Sequence, residues 1–254
     1  MASCVLAEVA LRARRGGADN HLAMEHCCPI IELRQYTLRP GARETLVRVF
    51  EEHFLEGQER HGMRIVGQFR DLDDLDRFVW IRGFTDMEAR RRALEGFYSG
   101  PVWKEHGPIA NATMVDHTNV LLLRPVDAEA GFRFDPRLRP AHEAAEAPGG
   151  VVVATIHHLA VAAPADGVVF RHEDPGPVML LGRFVTESAR NTYPRLPVRE
   201  EANVLVTFAA YPTVDAGGPP TVAEPGVARV ERLRLQPTRR SFLRHPLPSR
   251  ERAG

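Results

Sequence analysis

Four short apolar segments of this chain recur in the same order. IELRQY at 31–36 is echoed by ATIHHL at 154–159, IVGQF at 65–69 by LLGRF at 180–184, WIRGF at 80–84 by TFAAY at 207–211, and LLLRP at 121–125 by LRLQP at 233–237. Such a recurrence constrains the fold strongly, because each copy must reproduce one supersecondary unit. The spacing drifts between the copies. The second has about eight fewer residues between its first two strands and about fifteen fewer before its fourth, enough at ~1.5 Å per residue to remove most of each helix. It is expected to keep four strands, lose helix and gain a long loop, TESARNTYPRLPVREEAN (186–203).

Local signals in the first copy define the unit. Pro29–Leu38 alternates as a strand and stops at Pro40-Gly41. Ala42–His61 has helical spacing, with Leu46, Val49, Phe50, His53 and Gly57 on one face. Arg64–Phe69 and Arg77–Phe84 read as strands joined by the acidic turn Asp71–Asp76. A second helix starts at Thr85, where Glu88 completes a capping box, and stops near Ser99-Gly100-Pro101. Ala112–Arg124 is the last strand. The order β-α-β-β-α-β predicts a ferredoxin-like unit. The expected fold is α+β: two ferredoxin-like halves, the second degenerate, forming an α/β barrel. Residues 29–126 and 150–241 are the two halves and 127–149, rich in Ala, Pro and Glu, a linker. Residues 1–28 read as a disordered extension and 242–254 as a tail.

Strand alternation separates Ile31, Leu33, Val79 and Ile81 from Glu32, Arg34, Tyr36, Trp80, Arg82 and Phe84. The aliphatic face suits packing beneath the helices. The aromatic and charged face would then be bare, so the economical solution packs it against the second sheet. These side chains are expected to line an amphipathic cavity inside the barrel. By alignment, His157 takes the place of Arg34, and Thr207 and Ala209 those of Trp80 and Arg82. Arg90 falls within the apolar stripe of Met87, Ala93, Leu94, Phe97 and Tyr98, where a charge needs a partner. It reads as a structural ion pair, or as an anchor for the SGPVW segment at the cavity mouth.

Acidic and basic residues balance at 33 each, which removes any bulk electrostatic reason for a nucleic-acid or acidic membrane partner. No apolar run reaches the roughly 20 residues of a membrane span. The cysteines, Cys4, Cys27 and Cys28, all precede the first strand and cannot staple the core, which fits a reducing cytoplasm. Lys104 is the only lysine among many arginines, a bias expected of a GC-rich bacterial genome. No GxGxxG, Walker, CxxC, HExxH or GxSxG motif occurs, so no cofactor is expected. No metal is expected either: His53 and His61 lie eight apart, and His157 and His158 point to opposite faces of a strand.

IELRQYTLRPG (31–41), RGFTDMEARRRALEGFYSGPVWKEH (82–106) and TESARNTYPRLPVRE (186–200) with LQPTRRS (235–241) resemble the NIPSNAP family, within the dimeric α/β-barrel superfamily. The resemblance implies ferredoxin-like halves that close a barrel within one chain or between two, so a homodimer stays open. It implies little about activity, because that superfamily runs from cofactor-free monooxygenases to haem-handling enzymes.

The strongest constellation is Glu32, Arg34, Tyr36, Trp80 and Arg82. One reading is a buried salt-bridge lattice. The other is a pocket, with arginines for a carboxylate, carbonyl or enolate oxygen and aromatics, including Phe84 and Trp103, for a flat apolar body. In a cofactor-free enzyme Glu32 or His157 would be the base and Arg34 or Arg82 the oxyanion stabiliser. His106 adjoins the Trp103 segment, and Arg195 and Arg199 belong to the 186–203 loop, read as a lid or cavity wall. The leading expectation is a protein that binds a small, partly apolar organic molecule inside the barrel, with oxygenation, isomerisation or cyclisation as the accessible chemistry. The rival is a non-catalytic interaction protein with a filled barrel. A cavity of ~300 Å³ or more beside Arg34 and Trp80 would favour the first; a filled interior with an apolar outer patch would favour the second.

Overall fold

Ten strands form in the computed structural model, which describes residues 25–145, 150–160, 179–214 and 226–245. They are β1 (Glu25–His26), β2 (Ile30–Leu38), β3 (Arg64–Asp71), β4 (Arg77–Phe84), β5 (Met114–Pro125), β6 (Arg133–Phe134), β7 (Val151–Leu159), β8 (Met179–Thr186), β9 (Val204–Tyr211) and β10 (Val227–Pro237). Eight of them close a barrel in the order β10-β3-β4-β2-β5-β8-β9-β7. Every adjacent pair is antiparallel. Strands β2–β5 lie in the spatial order second, third, first, fourth, and so do β7–β10. The two units meet at short joints: Leu123–Pro125 against Phe184–Thr186, and Phe69–Asp71 against Leu235–Pro237.

The register corrects the alignment of the first strands. Arg34 faces Trp80 and Leu33 faces Leu121. Thr155 faces Thr207 and Ala154 faces Leu233. With Trp80 matched to Thr207 and Leu121 to Leu233, Thr155 takes the position of Arg34, and His157 that of Tyr36. A slip of two residues preserves the in–out alternation, so the apolar pattern alone cannot detect it. Both units bulge at the same point, beside Gly67 and Gly182. A Cβ on Gly67 would lie 2.4 Å from the Phe69 ring, and one on Gly182 2.7 Å from the Phe184 ring. Each phenylalanine folds back over its glycine and fills the barrel.

The barrel interior is a packed apolar core. Ile31, Leu33, Val66, Phe69, Val79 and Ile81 meet Val152, Ala154, Ile156, Phe184, Val206 and Phe208 there. This reverses the facing expected from the sequence: the aliphatic set points inward, and the set with Glu32, Arg34, Tyr36, Trp80, Arg82 and Phe84 points outward, under the helices. Alternation sorts residues into two sets but does not say which set meets which layer. Aliphatic side chains interdigitate with Phe69, Phe132, Phe184 and Phe208 inside the closed barrel, and Tyr36, Trp80 and Phe84 pack between sheet and helices.

Four helical segments cover that outer face. α1 (Arg43–Val49) runs through a π-helical turn at Phe50–Phe54 into α2 (Leu55–Glu59). The extra residue in the turn rotates Phe54 into the core and leaves His53 half-buried, stacked on the His106 ring at 3.6 Å. α3 (Met87–Ser99) is capped by Asp86, whose carboxylate accepts from the Ala89 N–H, instead of by Thr85. α4 (Pro101–Thr113) lies where the sequence reading placed no helix. Proline at its first position suits a helix start, but Gly107-Pro108 reads as a breaker. Gly107 is there for contact: a Cβ would sit 2.8 Å from the Trp103 ring.

The stretch read as a linker carries structure. β6 pairs with β1, which precedes the barrel, and Phe132 is fully buried among Phe184 and Phe208. Cys27 and Cys28 lie side by side just before β2, where they staple nothing across the core. The expectations for residues 1–24 and 246–254 lie outside the described residues.

Candidate functional site

Between the first sheet and its helices four ionised side chains are completely enclosed. Glu32 and Arg34 come from β2, Arg82 from β4 and Arg90 from α3, and none has any exposed surface. Glu32 and Arg82 are direct cross-strand partners, which places the carboxylate between the two strand arginines. Glu32 Oε2 accepts from Arg34 Nη1 and Arg82 Nε, both at 2.7 Å, and Oε1 accepts from Arg90 Nε at 2.6 Å. Neutral groups take other guanidinium protons. Arg34 Nε donates to the Tyr36 hydroxyl at 2.9 Å, Arg82 Nη1 to Gln58 Oε1 at 3.0 Å and Arg90 Nη1 to Asn191 Oδ1 at 2.9 Å. The Nη2 groups of all three arginines, and Trp80 Nε1, are buried with no protein partner.

The electrostatics follow from this packing. Burial alone would raise the Glu32 pKa, but Arg82, Arg90 and Arg34 outweigh it and hold the carboxyl far below the usual range. Burial works to lower the Arg34 pKa, yet Tyr36 and Glu32 beside it keep it above its ordinary value. Burial pushes the Tyr36 hydroxyl up, so it stays protonated. A carboxylate with both oxygens engaged by guanidinium groups is a poor general base.

Aromatic side chains wall the adjoining space. A cavity of about 30 Å³ is lined by Tyr36, Phe50, Phe54, Gln58, Trp80, Phe97, Tyr98 and Trp103, among others. Such a volume holds roughly one water molecule. Trp80 lies under the Arg34 and Arg82 guanidinium groups, at 5.5 and 4.9 Å from its ring, and Arg82 is 5.6 Å from the Phe84 ring. The loop after β8 closes the outside. Asn191 meets Arg90 and donates to the Leu196 carbonyl, Thr192 Oγ1 donates to the Met87 carbonyl, and Tyr193 stacks on Tyr98.

The sequence-derived candidates divide accordingly. Glu32, Arg34, Tyr36, Trp80, Arg82 and Phe84 come together, and Trp103 joins them across the cavity. The barrel location expected for them is corrected, as is the partnership with His157. β7 stands diametrically opposite β2 in the ring of strands, so His157 cannot reach Glu32. His106 packs on His53 at the outer side of α4. Arg195 is exposed, and Arg199 turns to Asn119 and Glu201, away from the cluster. Sequence reasoning missed Gln58 and did not join Arg90 to Glu32. The signal was present in the charge within the α3 stripe, but its partner is a strand residue far away in sequence. Among the described residues no group of three or more His, Cys, Asp or Glu side chains converges as a metal site, and no helix is long and apolar enough to cross a membrane.

The unit that supplies every charged member of the cluster matches one known family across its length. Residues 31–128 match the NIPSNAP family model. The match begins in β2 and ends just beyond β5, so Asn191 and its loop lie outside it. An uncharacterized NIPSNAP-like domain protein from Burkholderia xenovorans is 25% identical, covering 42% of this chain and 96% of that one, at a TM-score of 0.38. A NIPSNAP family protein of unknown function from Agrobacterium tumefaciens is 22% identical over 45% of this chain and 95% of its own, at 0.36. A protein from Lactobacillus acidophilus NCFM, provisionally assigned as a monooxygenase, is 13% identical over 83% of this chain and 94% of its own, at 0.46. No curated protein matches the chain.

Proposed function

We propose that this NIPSNAP-domain protein binds a small, partly apolar organic molecule between the first sheet and its helices, not inside the barrel. One observation carries the reading: a fully buried cluster with unpartnered N–H donors shares Tyr36, Gln58 and Trp80 with the wall of an aromatic cavity. Interiors rarely leave such donors unmatched. The aromatic walls suit a flat body and the guanidinium groups suit an oxygen-bearing end. Oriented cationic donors also stabilise an enolate or oxyanion, so cofactor-independent oxygenation, isomerisation or cyclisation is the chemistry such a site favours. Glu32 then serves as the fixed centre that orients three arginines, and any base must come from the substrate or solvent.

The filled barrel answers the expectation of the rival interaction reading, and an outer groove of about 720 Å³ beside Leu138, Met179 and Leu180 supplies its apolar patch. The cavity of about 30 Å³ beside Trp80 falls short of the ~300 Å³ that would favour the ligand reading by size, so that reading rests on the buried arginines, for which neither feature accounts. We further read residues 150–241 as a degenerate copy of 29–126, supported by their common strand order and glycine bulge. A bacterial, cytoplasmic setting accompanies that reading.

Mass spectrometry of gently purified protein tests the proposal. A small organic mass is expected on the native chain, absent after denaturation and much reduced in Arg34→Met. Clean apo protein, together with no binding of any small aromatic compound, would overturn it.

A further inference from the structure

We infer that the molecule taken up at this site carries an anionic group, and that Arg34, Arg82 and Arg90 receive it. The inference rests on the ligand reading above and adds the charge of the ligand.

Three guanidinium groups surround a single carboxylate. The cluster therefore carries two positive charges in excess, in a place without solvent contact. Its remaining partners, Tyr36, Gln58 and Asn191, are neutral and offset none of that charge. Like charges this close and this dry repel strongly, and an uncompensated buried ion is among the costliest features a protein can keep. A structural lattice would balance its charges. This one stops one or two anions short, with a free Nη2 group on each arginine.

Side chains that line the cavity also hold two of the arginines. Tyr36, Gln58 and Trp80 line it, and the same three side chains touch Arg34 and Arg82. A carboxylate there would accept from guanidinium edges, as planar anions do, while its organic body faced Phe50, Phe54 and Trp103. The present volume of about 30 Å³ is too small for that body, so the wall must move, and Tyr98 in that wall stacks on Tyr193 of the loop that holds Asn191. Asn191 occupies Arg90 Nη1 with a neutral oxygen, a weaker acceptor than a carboxylate. An anion arriving at Arg90 would compete with it, which couples binding to the position of the loop.

The test compares benzoate, benzyl alcohol and benzylamine, equal in ring and different in charge. Thermal melts of the full-length protein are recorded at constant ionic strength. Benzoate is expected to raise the melting midpoint in a saturable way, with roughly tenfold or more tighter binding than either other compound. Arg34→Met should abolish the benzoate shift. Should that variant fail to fold, Asn191→Asp serves instead: it places a carboxylate on Arg90 and should weaken benzoate binding. Equal binding of benzyl alcohol would overturn the inference while leaving the ligand site in place. If none of the three compounds shifts the midpoint, the inference falls. The co-purification experiment then decides separately whether the ligand reading survives.

Discussion

Glu32 holds three arginines together, so losses at its two sides are unequal. Glu32→Gln leaves three buried guanidinium groups without a counterion and should cost about 3–5 kcal/mol in urea unfolding. Arg34→Met leaves Glu32 with two partners and relieves repulsion, so its cost should be clearly smaller. Equal losses would mean a balanced lattice. The pH dependence has a definite sign. The folded carboxyl titrates below its unfolded value, so its stabilisation is complete above the ordinary carboxylate range and is lost as pH falls toward the folded pKa. Unfolding free energy should decline on acidification below about pH 4, with a shallower slope in Glu32→Gln. At this scale much was legible. The sequence named Glu32, Arg34, Tyr36, Trp80 and Arg82 as one set by alternation alone. It flagged Arg90 by its misplaced charge, yet could not pair it with Glu32, because that contact is set by how a helix crosses a sheet.

Elements show where local signals fail. A π-helical turn shifts the buried stripe midway along the first helix, so a constant 100° step carries His53 inward when Phe54 takes that place. α4 was hidden by Gly107-Pro108, which look like breakers but leave room for Trp103. The paired glycine bulges were visible only as a shared letter in IVGQF and LLGRF, and their purpose needs the two phenylalanine rings. Gly67→Ala and Gly182→Ala should each destabilise the barrel by about 1–3 kcal/mol, since the new methyl group meets a core ring; differential scanning calorimetry checks it. Neutral outcomes would mean that Phe69 and Phe184 repack freely.

At the scale of the molecule, barrel closure determines what the halves can do alone. The inner face of the first sheet, with Ile31, Leu33, Val79 and Ile81, is buried wholly by the second unit and Phe132. Residues 25–128 expressed alone should therefore self-associate or unfold, as size-exclusion chromatography with light scattering would report. A stable monomer would contradict that dependence. The sequence indicated eight strands in two like-ordered sets but could not orient them, because either face of the first sheet was apolar enough to be buried. Orientation moved the candidate site from the barrel to the helix side.

The chain has two tryptophans, Trp80 and Trp103, and both line the small cavity under the helices. Intrinsic fluorescence therefore reports on that cavity and on nothing inside the barrel. A titration with benzoate should give a saturable change in tryptophan emission in the wild-type protein and none in Arg34→Met. Binding detected by calorimetry with unchanged tryptophan emission would contradict a site beneath the helices and direct the search to the barrel or the outer groove.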